Sequence, residues 1–377
     1  MTELADIFRL YGSAYRDQYG GQLLPSQRQA MWEIEHCRTP ALGGQIYHCD
    51  ACQQSHYSYH SCQNRHCPKC QNEAAQQWLE HQQDHLLATP YFLVTFTLPA
   101  QLRSLTFRHQ KQLYNLLFRT SAAALQQLAL DPRFVGGQIG MIGVLHTWTR
   151  DLRYHPHVHY LVPAGGISPD GQTWLPTDSD FLVHVKPLSI LFRAKFRDAL
   201  KKADLFDQVL PEAWTKDWVV HSKPVGHGHQ ALTYLSRYVL RVAICNKHIL
   251  KVENDQVTFR YKETSTDHIK YCTLPALTFI HRFLKHVLPK GFVKIRYFGF
   301  LSPGKRPLLN QLRLLLGTLS TTPALDRPST YLAPRDTTLC CPTCGKAMRL
   351  IETLPPHSRS PPLPAWSDPC GSVLTGR

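Results

Sequence analysis

The segment Tyr154-His-Pro-His-Val-His-Tyr-Leu-Val162 constrains the fold more than any other part of the chain. Its β-branched and aromatic residues, closed by Pro163-Ala-Gly-Gly, predict a strand over residues 156–162. Side chains alternate faces on a strand, so His157 and His159 project to one side while Val158 points into the core. Two imidazoles roughly 7 Å apart on a rigid surface can converge on one divalent cation. Any sheet built around this strand must therefore pack one face and present imidazoles on the other.

Other segments supply the partners of that strand. Tyr91-Phe-Leu-Val-Thr-Phe-Thr-Leu98 is a β-branched and aromatic run stopped by Pro99, and residues 139–148 read as a further strand. The arm Thr149-Arg-Asp-Leu-Arg-Tyr-His155 makes a hairpin with the imidazole strand. Residues 218–223 are expected to be extended; residues 102–130, 187–203 and 229–246 are expected to be helical. This order has neighbouring antiparallel strands and lacks the strand–helix alternation of a doubly wound sheet, which gives an α+β class.

Cysteines mark the first part of the chain. Cys49-Asp-Ala-Cys52 and Cys67-Pro-Lys-Cys70, with fourteen residues between the pairs, have the spacing of a structural zinc ribbon or finger. Four thiolates from Cys49, Cys52, Cys67 and Cys70 close a tetrahedral site with no open position. Cys37, Cys62 and His66 are left over, so a second ion or another choice of ligands stays open. Near the other end, Cys341-Pro-Thr-Cys344 is half a zinc knuckle, its partner ligands being His357 and Cys370, an earlier segment, or none. From Ile351 onward six prolines in twenty-seven residues and no hydrophobic periodicity predict disorder.

Charge points to a polyanionic partner. The 377 residues carry a net charge of +15, and 43% are hydrophobic, ample for a packed core. Residues 268–325 contain no Asp or Glu and nine Lys or Arg. Within them Arg282, Lys285, Lys290, Lys294 and Arg296 interleave with Phe283, Phe292, Tyr297 and Phe298, the mixture of cations and rings that single-stranded nucleic acid uses. The opening residues lack a basic stretch followed by an apolar one, and no apolar run reaches the twenty or so residues of a membrane span. Paired cysteines favour zinc in a reducing compartment, so a cytoplasmic, nucleoid-associated location is expected.

The chemistry emerges where the imidazoles meet a second motif. In the helix expected over residues 229–246, Tyr234 and Tyr238 lie at i and i+4 on one face. A metal that polarises a phosphate and a tyrosine that attacks it make a DNA-nicking apparatus. Gln230, one turn before Tyr234, is the preferred third metal ligand, since it would register metal and nucleophile on one helix. His155 shares the strand face and competes for that role. Arg237 and Arg241 line the same side of the helix as Tyr234 and suit the phosphates flanking a cut. Imidazole ligands lean towards Mn2+, abundance towards Mg2+.

A collinear set of motifs carries a resemblance. They are Cys37-Arg-Thr-Pro-Ala-Leu-Gly-Gly44, Asn64-Arg-His-Cys-Pro-Lys-Cys-Gln71, Val144-Leu-His-Thr-Trp148, Tyr154-His-Pro-His-Val-His159, Tyr234-Leu-Ser-Arg-Tyr-Val-Leu-Arg-Val-Ala-Ile244 and His286-Val-Leu-Pro-Lys-Gly-Phe292. Over nearly its whole length the chain resembles the two-tyrosine transposases of rolling-circle insertion sequences, within the HUH endonuclease superfamily. The resemblance implies a five-stranded antiparallel sheet flanked by helices, with the histidine pair on a central strand and a small zinc-binding module in front. It also implies cleavage of single-stranded DNA at element ends, a 5′-phosphotyrosine and a free 3′-hydroxyl.

The expected division is residues 1–85 as a helical, zinc-binding DNA-recognition domain and 86–250 as the nicking and strand-transfer domain. Residues 251–335 follow as a basic DNA-binding extension and 336–377 as the Cys-x-x-Cys segment and tail. The competing readings are a plasmid replication initiator or relaxase-like nicking enzyme, and a catalytically inactive zinc-ribbon DNA-binding regulator.

Overall fold

The computed structural model describes residues 2–70, 77–82, 85–228, 230–233, 243–263, 268–317 and 339–356. Near the start, helices α1 (Leu4–Tyr19) and α2 (Pro25–Glu35) lead into strands β1 (Gly44–Cys49) and β2 (Gln54–Tyr59). Strand β3 (Pro90–Thr97) is followed by helices α3 (Arg103–Arg108) and α4 (Gln110–Ala129). Next come β4 (Met141–Trp148), β5 (Tyr154–Pro163), β6 (Gly165–Ile167), β7 (Trp174–Pro176), helices α5 (Val185–Lys201) and α6 (Glu212–Thr215), and β8 (Val220–His227). Strands β9 (Ile249–Glu253), β10 (Gln256–Lys262) and β11 (Ile269–Pro275) precede helix α7 (Ala276–Leu284), β12 (Ile295–Phe298), helix α8 (Arg306–Leu315) and β13 (Arg349–Leu354).

Five strands form the central antiparallel sheet in the order β12-β4-β5-β3-β8, so the imidazole strand β5 lies in the middle. The expected α+β class and central histidine strand are both present. Two-residue alternation divides the sheet into two packed faces. Phe92, Val94 and Phe96 of β3, with Val158, Tyr160 and Val162 of β5, join one core with Leu113, Leu117 and Leu125 of α4 and Phe192 and Phe196 of α5. Burying each such side chain contributes about 1.5–3 kcal/mol. Tyr91, Leu93 and Leu161 face the other way and share a smaller cluster with Ile142, Val144 and Ala231. His157 and His159, in step with Leu161 along β5, belong to this second face.

The N-terminal helices pack against residues far along the chain. Helix α7 buries Ala276, Phe279, Ile280, Phe283 and Leu284, an i, i+3, i+4, i+7, i+8 stripe, against Leu4, Ile7 and Phe8 of α1. Phe8 and Phe283 meet edge to face at 5.6 Å. Gln27 donates its side-chain N–H to the Leu284 carbonyl at 2.9 Å. Sheet β11-β10-β9 contributes Val257, Phe259 and Leu274 to this same cluster, while β12 lies at the edge of the central sheet. Residues 251–263 and 268–298 are thus shared between the N-terminal core and the central sheet, and among the described residues they form no core cluster of their own.

Three local expectations change, one of them at the end of the helix expected over 229–246, where residues 243–245 are not helical and Asn246–His248 form a 3-10 turn. The helix expected over 102–130 is broken at His109, which leaves helical geometry at φ −118° and ψ 44°. Residues 349–354, expected to be disordered from Ile351, form β13 on the edge of β1, because backbone pairing replaces the hydrophobic periodicity that the segment lacks. Among the described residues no helix is long and apolar enough to cross a membrane.

Candidate metal centre and cysteine clusters

Strand pairing assembles three imidazoles. His146 of β4 lies directly across the ladder from His157 of β5, and His159 is two residues further along β5. The ligand nitrogens of His146, His157 and His159 all lie within 4.8 Å of one another. Backbone and hydroxyl groups orient two of the rings. Nδ1 of His157 is 2.7 Å from the His155 carbonyl, so Nδ1 carries the proton and Nε2 the lone pair. Nδ1 of His159 is 2.8 Å from the Thr95 hydroxyl on β3.

Burial keeps His157 and His159 neutral. Desolvation pushes His157 down to about 4, against the backbone bond to His155 that raises it. His159 is also held well below its ordinary value, first by burial and then by the charges of His157 and Lys223. Neutral imidazole is the form that ligates a metal. The three nitrogens fit a divalent ion by their number and convergence, and those of His157 and His159 also by their neutral state and oriented outer shell.

A cation lies beside this centre. Lys294 Nζ sits 5.2 Å over the Trp148 ring, and that indole stacks on His146 at 4.6 Å. Burial, then the Arg65 charge, pushes Lys294 down to about 7.

Gln230 is the third ligand preferred from sequence, with His155 in competition, and the structure instead adds His146 to the pair. His155 shares the strand face, yet its Nδ1 sits 2.7 Å from Arg103 Nη2 and it stands outside the cluster. His146 was missed because its membership depends on the β4–β5 register; its place on a strand expected to pair with residues 156–162 was the available signal. Gln230 is exposed, with its amide oxygen against the Gly226 backbone. Ala231, the next residue, is fully buried on the imidazole-bearing face of the sheet. Tyr234, Arg237, Tyr238 and Arg241 lie outside the described residues.

The basic residues divide by environment. Lys290 is exposed, and Arg282 donates to the Asp151 carbonyl at 3.3 Å. Lys285 Nζ lies 5.9 Å over the Phe107 ring. Arg296 is committed to the interior: its guanidinium covers Phe118 at 4.5 Å and Phe292 at 5.1 Å and donates to Asn115. Phe283 and Phe292 are buried core rings, so they offer no face to an unstacked base.

The cysteines form two clusters where one site from Cys49, Cys52, Cys67 and Cys70 was expected. Cys37, Cys62, Cys67 and Cys70 gather beneath α2, while Cys49 and Cys52 meet Cys341 and Cys344. The β1–β2 hairpin carries the first pair to its tip, away from Cys67 and Cys70, which pack beside Cys37 in the N-terminal core. His66 is also no ligand: its Nε2 accepts the Leu288 N–H at 3.2 Å, and burial holds it well below its ordinary value.

In the first cluster the Cys37–Cys70 and Cys62–Cys70 sulfurs are 3.6 Å apart and Cys67–Cys37 3.7 Å. Tetrahedral zinc with Zn–S bonds of about 2.3 Å requires sulfurs about 3.8 Å apart, whereas a disulfide brings them to about 2.05 Å. These four thiols fit structural zinc.

Antiparallel sheet, imidazole cluster and thiol clusters together define a protein equipped to hold metal ions at more than one place. Residues 140–307 match the family model described as "Putative transposase", and residues 7–98 match "Transposase zinc-binding domain". The chain is 42% identical over 355 residues to "Putative transposase y4qJ" of Sinorhizobium fredii, covering 89% of this chain and 88% of the relative. It is 30% identical over 332 residues to "Transposase for insertion sequence element IS801" of Pseudomonas savastanoi pv. phaseolicola, covering 83% and 79%. No solved structure matches significantly. The chain belongs to this family of insertion-sequence transposases, and it binds DNA.

Proposed function

We propose that the chain is a rolling-circle transposase that nicks single-stranded DNA at the ends of its element and transfers the cut strand through a 5′-phosphotyrosine. The observation that carries this reading is the cluster of His146, His157 and His159 on the sheet face against which residue 231 packs, three residues before Tyr234. His146, His157 and His159 would hold Mg2+ or Mn2+, with Gln230 as a further ligand from the adjoining helix. When bound, the ion supplies Lewis-acid polarisation of the scissile phosphate.

The chain's own residues do the rest. The phenolic oxygen of Tyr234 or Tyr238 forms a bond to phosphorus as the bond from phosphorus to the 3′-oxygen breaks. The phenol proton leaves and the departing oxygen ends as a 3′-hydroxyl. Exchange of one phosphodiester for another conserves the bond energy, so the reverse attack by a second DNA 3′-hydroxyl joins strands without ATP. Lys294 lies beside Trp148 and His146, and an arriving phosphate would favour the charged form that burial disfavours, supporting phosphate binding next to the cluster. The domain holding Cys37, Cys62, Cys67 and Cys70 recognises the element end.

Incubation with single-stranded oligonucleotides from the element's ends and Mn2+, followed by denaturing electrophoresis, tests this reading. A covalent protein–DNA adduct is expected, lost in His157→Ala. Binding without any adduct would favour an inactive DNA-binding regulator.

A further inference from the structure

The second cysteine cluster joins the two ends of the described chain. Cys49-Asp-Ala-Cys52 is the turn between β1 and β2. Cys341-Pro-Thr-Cys344 is the turn of another hairpin, closed by Met348 N–H to the Leu339 carbonyl at 2.8 Å and by Cys341 N–H to the Lys346 carbonyl at 2.7 Å. The turns are near copies. Each has a left-handed residue directly after its second cysteine, Gln53 at φ 56° and Gly345 at φ 74°. In each, that residue's N–H bonds the carbonyl of the first cysteine at 2.8 Å, Gln53 to Cys49 and Gly345 to Cys341.

The two turns bring their thiols together. Cys49 and Cys344 sulfurs are 3.4 Å apart and Cys52 and Cys341 sulfurs 3.5 Å, across 289 residues of chain in the latter pair. All four thiols are free of disulfides and lie within 4.8 Å of one another. Nε2 of His56, on β2, stands 3.6 Å from Cys341 Sγ, placed to support a thiolate.

Little else holds residues 339–356 in place. Strand β13 pairs with β1 from Gly44 opposite Leu354 to His48 opposite Arg349. Yet Leu350 and Ile351 are each 46% exposed, and no residue of this segment enters any of the hydrophobic clusters. The Arg349–Asp50 ion pair at 3.5 Å is exposed on both sides, and such pairs contribute about 0–1 kcal/mol. Beyond its cysteines this sheet buries the Ile46 side chain, and a three-stranded sheet with so small an apolar face is marginal in water. Metal binding can supply the missing folding energy.

We propose that Cys49, Cys52, Cys341 and Cys344 bind a second structural zinc ion, forming a zinc ribbon split between residues 44–59 and 339–354. Four soft sulfur donors with no open position select structural zinc. The ion clasps the C-terminal strand onto the recognition module and closes the chain between them into a loop. This site is independent of the nicking reading and stands or falls separately from it.

Metal analysis of the full chain, purified under reducing conditions, is the first test. Two zinc ions per chain are expected for the wild type and one for Cys341→Ser/Cys344→Ser, with its far-ultraviolet circular dichroism and sheet core retained. One zinc in the wild type, or no loss of zinc in the double variant, would overturn the proposal. So would a disulfide within this cluster, found by mass spectrometry. A second test inserts a protease site between residues 320 and 336 of the full chain. After cleavage the C-terminal fragment should co-elute with the rest, and Cys341→Ser/Cys344→Ser should release it. Equal retention with and without the two thiols would show that backbone pairing alone holds β13.

Discussion

His146 stands directly opposite His157 across the β4–β5 ladder, their rings 5.4 Å apart and nearly perpendicular at 84°. Cross-strand pairing therefore adds a third imidazole to the two that alternate on β5. If all three hold the ion, His146→Ala should slow adduct formation by more than the roughly 10–100-fold typical of losing an outer-shell partner. DNA affinity should be nearly unchanged, because it comes from distributed charge. Adduct rates against Mn2+ concentration check this, and a wild-type curve for His146→Ala would remove it from the ligand set.

Two cations of the acid-free stretch should behave oppositely. Arg296 lies over both the Phe118 and Phe292 rings and donates to Asn115, so Arg296→Ala should cost about 1–3 kcal/mol of stability. The salt dependence of DNA binding should hardly move. Exposed Lys290 has the reverse expectation: Lys290→Ala leaves stability intact and lowers the slope of log affinity against log salt by about 1. Thermal melts and salt titrations measured together separate the two, and equal salt slopes for both variants would contradict the division.

These outcomes show what was legible in sequence. The strand carrying His157 and His159, and its place in an antiparallel sheet, follow from two-residue alternation that acts locally. The role of His146, the departure of His155 to Arg103 and the packing of Arg296 over Phe118 and Phe292 depend on register and packing between distant segments. The cysteines make the same point. Cys-x-x-Cys spacing reveals ligand pairs, because a knuckle is a local turn. Which pairs meet is a tertiary fact: Cys67 and Cys70 join Cys37 and Cys62, while Cys49 and Cys52 reach Cys341 and Cys344.

Acid should destabilise the fold through a buried imidazole that stands outside the His146, His157 and His159 cluster. His286 is 2% exposed, its Nε2 3.1 Å from the Leu152 carbonyl and its Nδ1 3.3 Å from the Thr147 hydroxyl. Burial pushes it from 6.5 down to about 4. The unfolded chain therefore takes up the proton first as pH falls. Stability that is full above about 6.5 is lost between there and about 4, by about 3 kcal/mol for this one group. His286→Gln, which cannot titrate, should flatten that part of the profile. Parallel melting curves of both proteins from pH 8 to pH 5 would contradict the assignment.

Zinc at Cys37, Cys62, Cys67 and Cys70 should hold the N-terminal core together, since Cys37 and Cys67 are buried among Leu4, Ile34 and Phe283. Cys62→Ser/Cys70→Ser should expose that cluster and weaken recognition of the element end. The core between the sheet and α4 should persist, because it shares no residue with the thiol cluster. Hydrogen exchange reads the difference: protection lost in α1, α2 and α7 and retained in β3–β5. Uniform loss across both regions would show that the chain unfolds as one cooperative unit.

The two tyrosines should have unequal roles. On the helix expected from sequence over residues 229–246, positions i and i+4 lie about 5–6 Å apart, which would keep Tyr234 and Tyr238 from sharing a single attack position. Tyr234, one turn after Gln230, is assigned the first cut and Tyr238 the second strand. Phe at either position removes only the phenolic oxygen and keeps the ring, so stability should barely change. Tyr234→Phe should nearly abolish the covalent adduct on a substrate with a single end. Tyr238→Phe should still form that adduct yet fail to complete transposition between two ends. Exchange of these two phenotypes would reverse the order of use, and an adduct formed by the double Phe variant would assign the nucleophile to another residue.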